Sequence, residues 1–189
     1  MAEKEIQLKQ IAGILAEAVK AIFAEKSEIK FSKEPVLERK NIIEYQGKMR
    51  ADGLEKFEGV ATYVSAVNFY LTAQDMGKHK AIGALIIYVA QSYIPNVMKT
   101  LKYPPIDDED EKAMRDSCGT LCNIIAGRFK SGLVASGYRE LEMSAFSTYR
   151  NSSFNVEFCY KEYDKYEICY YIQDNKRLVT EVTMGALPR

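Results

Sequence analysis

The chain of 189 residues holds one histidine, five prolines and four cysteines, and no excess charge of either sign. Each shortage excludes something. With His79 as the sole imidazole, a Ser-His-Asp or Cys-His enzyme would have to use it, and a multi-histidine metal site is impossible. His79 sits in Gly77-Lys78-His79-Lys80, a polar stretch between two apolar runs, and reads as an exposed turn residue. Lys plus Arg and Asp plus Glu both number 26. Such a balance supplies no bulk field to hold a phosphate backbone, so no nucleic-acid partner is expected. No apolar run approaches the ~18 residues of a membrane span, and no signal-peptide pattern opens the chain, so a cytoplasmic protein without a membrane partner is expected. Its cysteines then read as reduced thiols. A Walker loop, a GxGxxG after a strand and a metal-ligand cluster are also missing, which leaves a small-molecule enzyme without a motif.

What is present suits a globular chain. Apolar residues make up 47% and charged residues 28%, too apolar for disorder, and the length suits a single domain over residues 1–189. Residues 4–26 carry Ile6, Ile11, Ile14, Leu15, Ala18, Val19, Ile22 and Phe23 at three- and four-residue steps, the pattern of an amphipathic helix packing one face. Residues 27–60, broken by Pro35 and Gly47, Gly53 and Gly59, predict one or two strands with loops. Residues 61–72 predict a strand with Tyr63, Ser65, Val67, Phe69 and Leu71 on one face. A turn at 75–80 precedes the doubly apolar run 81–90, which suits a central strand, and 91–102 predict a short helix.

The acidic run 107–111 opposes the positive end of a helix dipole and marks a helix start; Gly137 marks the stop. Strands are expected near 139–149, 153–161, 166–174 and 178–184. Phe154, Val156, Phe158 and Tyr160 alternate, as do Tyr166, Ile168, Tyr170 and Ile172. A hairpin turning near Asp164 would place both sets on one face and set Cys159 opposite Cys169, unbonded. The order helix, strands, helices, strands predicts an α+β fold, a mainly antiparallel sheet with helices on one face.

On a helical wheel of residues 114–133, Met114, Cys118, Leu121, Cys122, Ile125 and Phe129 form a core face. Cys118 and Cys122 therefore read as small buried hydrophobes and not as zinc ligands. Asp116, Thr120, Asn123, Gly127 and Ser131 form the opposite stripe. A solvated face is its plain reading. However, Asn competes for backbone hydrogen bonds and Gly costs about 1 kcal/mol in a helix interior, so the stripe suggests a surface shaped for close approach.

The stretch Asp116-Ser-Cys-Gly-Thr120-Leu-Cys-Asn123-Ile-Ile-Ala-Gly127 resembles the active-site helix of the CheC/CheX family of chemotaxis phosphatases. That family's motif is Asp or Ser, three residues, Glu, two residues and Asn. The wider element order also fits a CheX-like domain over residues 1–185. The resemblance implies action on a phosphorylated response-regulator receiver domain. Asn123 would orient the water attacking the aspartyl-phosphate, with magnesium held by the partner and no cofactor in this chain. It also implies a homodimer pairing through sheet edges, which the long C-terminal strands would offer. Thr120 stands where the family has Glu, whose charge pairs with a partner lysine. Losing one side of a buried interfacial ion pair costs about 2–5 kcal/mol. Asp116, one turn earlier, is the candidate replacement for that charge. The alternative is a non-catalytic signalling module that binds a receiver or another signalling protein.

Overall fold

The computed structural model describes residues 2–26, 29–45, 48–54, 56–158 and 164–189. Helix α1 (Ala2–Lys26) leads into the strands β1 (Val36–Asn41), β2 (Glu44–Tyr45), β3 (Lys48–Asp52) and β4 (Thr62–Tyr70). A short helix α2 (Ala73–Gly77), strand β5 (Gly83–Ala90), a 3-10 turn, α3 (Ile94–Thr100) and the long helix α4 (Glu111–Ala135) follow. The chain closes with β6 (Glu142–Met143), β7 (Ser147–Arg150), β8 (Ser153–Glu157), β9 (Asp164–Ile172) and β10 (Asn175–Met184). All the strand pairings are antiparallel.

The main sheet runs β1-β9-β10-β5-β4-β6, with β7 also pairing β4; a small sheet runs β2-β3-β8. Every residue of β5 is buried, as a run apolar on both faces requires. One face of the main sheet carries α1 and α4: Phe69 of β4 meets Phe129 of α4 with ring centroids 5.7 Å apart. On the other face, β8 is tied to β4 where Asn68 Nδ2 donates to the Glu157 carbonyl at 2.5 Å. The α+β architecture with helices on one face is therefore the observed one.

Local chemistry accounts for the helix ends. Asp110, inside the acidic run, caps α4 by accepting from the Ala113 amide at 3.0 Å. Gly137, just past α4, adopts φ +85°, the left-handed stop that glycine supplies at least cost. The expected turn at 75–80 is in part helix, because the Thr72 hydroxyl accepts from the Asp75 amide at 3.1 Å and starts α2. His79 lies beyond it, exposed, with φ +55°.

Four expectations need correction. Among its described residues the segment 27–60 holds three strands; β1 is an edge strand with mostly exposed side chains, so it lacks the alternation that marks a half-buried strand. The 139–149 strand is two short ones, broken at 144–146. The hairpin near Asp164 does not form: β8 pairs with β3, while both edges of β9 are taken by β1 and β10. Alternation identifies a strand but not its neighbour. Cys159 and Tyr160 lie outside the described residues. Because β9 and β10 are interior, the long C-terminal strands offer no free edge; the sheet ends at β1 and at β6 and β7.

A charged cluster lies beneath the face away from the helices. Glu167 and Glu181 stand directly opposite each other on β9 and β10, a repulsive cross-strand pair if left alone. Lys56 Nζ bridges them, bonding Glu167 and lying 2.7 Å from Glu181 Oε1. Lys40 bonds the outer side of Glu167, and Lys165 sits 2.9 Å from Glu181 Oε2. The Tyr88 hydroxyl donates to Glu181 at 2.8 Å. Burial opposes ionisation of Glu167, but hydrogen bonds from Lys40 and Lys56, with their charges, outweigh it and bring its carboxyl down to about 2.

A depressed carboxyl pKa means that the unfolded chain binds the proton more readily. The stabilisation is complete above the ordinary carboxyl value of 4.5 and is lost as pH falls from there through about 2. Circular-dichroism denaturation should show that acid loss. Lys56→Met leaves two buried carboxylates unbridged, with an expected cost of about 3–5 kcal/mol at pH 7. That cost should shrink near pH 4.

Candidate functional site

Helix α4 is oriented by its apolar side. Met114, Cys118, Cys122, Ile125, Ala126 and Phe129 are fully buried, and Leu121 and Leu133 nearly so. Burial pushes the Cys122 thiol up to about 12 and raises Cys118 as well. Both are inert packing thiols, as the wheel predicts. In native protein at pH 8, Cys118 and Cys122 should resist Ellman's reagent and react only on unfolding.

With that face fixed, the stripe on the far side is set. Asp116, Asn123, Gly127 and Ser131 are exposed, and Thr120 is half-buried. The structure thus brings the three sequence-derived site residues, Asp116, Thr120 and Asn123, onto one open ridge. The Asn123 carboxamide makes no hydrogen bond to any described residue. The Thr120 hydroxyl is engaged: it donates to the Asp116 carbonyl at 2.8 Å, one turn back. Ser131 does the same to the Gly127 carbonyl at 3.2 Å. These local bonds leave the amide of Asn123 and the carboxylate of Asp116 as the ridge's outward polar groups. A Cβ at Gly127 would meet nothing within 4 Å, so this glycine is not required by packing within the chain.

The ridge is flanked on both sides. Toward α1 lies a groove of about 790 Å³ lined by Gly13, Ile14, Ala18, Arg128 and Gly132, among others. On the opposite flank a smaller cavity of about 520 Å³ is lined by Gly127, Lys130, Val134, Glu140 and Met143. On that flank, nearer the N-terminus of α4, Phe146 rests against Gly119, one turn before Asn123. Neither residue stands out in the sequence, where Phe146 lies in a polar stretch without periodicity. Among the described residues, no group of three or more His, Cys, Asp or Glu is placed to hold a metal ion, and no helix is long and apolar enough to cross a membrane.

No family model matches the chain, and no curated protein matches it in sequence. Solved structures do match. The chemotaxis protein CheX from Desulfovibrio desulfuricans is 14% identical, with a TM-score of 0.56 over 93% of this chain and 99% of that one. A CheC-like superfamily protein from Shewanella sp. PV-4 is 13% identical, with a TM-score of 0.60 over 93% and 97%. The CheX–CheY–BeF3–Mg2+ complex from Borrelia burgdorferi matches at 14% identity and a TM-score of 0.50, over 93% and 97%. These matches along nearly the whole chain show that the protein has the fold of the CheX and CheC chemotaxis proteins.

Proposed function

We propose that the protein docks through the α4 ridge on a phosphorylated response-regulator receiver domain and hastens hydrolysis of its aspartyl-phosphate. The observation that carries this reading is the outward, unengaged carboxamide of Asn123 on a helix rotated firmly by its own core. A neutral amide both donates and accepts, so it can hold a water in line with the phosphorus without repelling the phosphoryl oxygens. The water oxygen forms a bond to phosphorus as the bond to the aspartyl oxygen breaks. The carboxylate leaves with that electron pair, and the inorganic phosphate keeps the water oxygen with both its protons, one of which it then exchanges with solvent. Magnesium belongs to the receiver on this reading, and this chain contributes no cofactor. That a CheX of this fold occurs in complex with CheY supports the choice of partner.

Asp116 supplies the negative charge that the motif Glu would otherwise give, one turn along the same ridge. Thr120 favours the second reading, a receiver-binding module without chemistry, because its hydroxyl is uncharged and already bonded to the Asp116 carbonyl. In either case the reading is of a cytoplasmic chemotaxis-type protein. Self-association along an edge of the main sheet would use β1 or the β6–β7 end, since β9 and β10 are paired on both sides.

The lifetime of phosphorylated receiver domains, with and without this protein, separates the two readings. Catalysis predicts shortened lifetimes, and Asn123→Ala should remove about a hundredfold of the acceleration while the protein stays folded. Binding without acceleration establishes the module. Asp116→Ala should slow an active protein; an unchanged rate removes Asp116 from the mechanism. Thr120→Glu should tighten receiver binding by about tenfold, a gain of about 1.4 kcal/mol.

A further inference from the structure

Phe146 is a large apolar side chain left 39% exposed. A lone surface aromatic needs no explanation. This one is held in a particular place. Strands β6 and β7 both pair with the outer edge of β4, and the three residues between them cross to α4. Ser144 pins the crossing: its amide donates to the Asn68 carbonyl at 3.0 Å, and its hydroxyl accepts from the Asn68 amide at 2.9 Å. The Phe146 ring then lies on the backbone of α4 at Gly119. A Cβ at Gly119 would fall on the ring edge, 2.7 Å from Cζ and closer still to Cδ2 and Cε2. Glycine costs about 1 kcal/mol against alanine inside a helix. Here that cost is what lets an aromatic ring reach the helix surface.

Gly119 lies one turn before Asn123 and about 40° around the helix. The ring therefore stands beside the amide on the ridge, part packed and part open. Farther along the same flank, Met143 and Val134 continue an apolar border. A rigid, partly exposed aromatic next to a polar group is the usual anatomy of a binding hot spot, with apolar contact excluding water around the polar centre.

We infer that Phe146, seated on Gly119, is an affinity-determining contact for the receiver domain, packing on the surface that borders its phosphorylation pocket. This rests on the receiver-docking reading above. Phe146 positions the partner; it touches no reacting atom. Tyr149 supplies an internal control. It is equally exposed at 39%, lies three residues away on β7, and stacks on Phe154 of the small sheet, on the face of the main sheet away from α4.

The test measures Kd by titration against each stand-alone receiver domain of the source organism, activated with beryllofluoride and magnesium. Phe146→Ala should weaken binding by about tenfold or more, and Gly119→Ala, which displaces the ring, should match it. Phe146→Leu should keep most of the affinity, and Tyr149→Ala should leave it unchanged. If Phe146→Ala does not fold, Phe146→Gln is judged in its place. A loss smaller than about threefold in a folded variant, with wild-type binding intact, overturns the role of Phe146 and leaves the receiver reading standing. An equal loss in Tyr149→Ala also overturns it. Failure of wild-type protein to bind any activated receiver overturns both.

Discussion

The packing of one side of α4 against β4 and β5 governs everything else about the site. A helix turns about 100° per residue, so a slip of a single position would carry Asn123 to the flank and a core residue to the ridge. Ten buried residues along α4 oppose that slip. Their placement is over-determined, because Cys118, Cys122 and Phe129 are each fully enclosed. Exposure of the polar stripe is thus the complement of core packing rather than a separate device.

The two faces of the main sheet are stabilised differently. The helix face is apolar, with Phe69 on Phe129 and the tilted rings of Phe23, Phe31 and Tyr170 joining α1 to β9. The other face mixes apolar contacts with the Glu167–Lys56–Glu181 bridge. Lys56 also lies 4.4 Å from the ring centroid of Tyr88. Desolvating such ions is expensive, and apolar replacements of similar volume often do as well. What the bridge adds is a fixed anchor: it ties the segment after β3 to the centre of the sheet.

Much of this was legible from residue pattern. The stripe of α1, the doubly apolar β5, the acidic start and glycine stop of α4, and the split of α4 into core and ridge faces all follow local rules, and the structure agrees. Ile6 is an exception within its stripe, being 57% exposed near the end of its helix. The illegible features are those set by distant partners. Strand β8 alternates clearly, yet its neighbour β3 lies about a hundred residues earlier. Strand β1 carries charges because it is an edge, so no alternation announces it. The Lys56 bridge and the Phe146–Gly119 contact depend on tertiary approach, which residue spacing does not encode. At the site, the outward aspect of Asp116 and Asn123 was readable from the wheel; the committed hydroxyl of Thr120 was not.

That commitment separates two neighbours on the same ridge in a way that composition alone would miss. The Thr120 oxygen has already donated its proton inward, and recruiting that proton outward would mean surrendering a bond within the helix. The Asn123 amide gives up only water and rotational freedom, the latter on the order of 0.5–1.5 kcal/mol for one immobilised side chain. Of the two, the longer side chain is the one that can change allegiance without disturbing the scaffold that carries it.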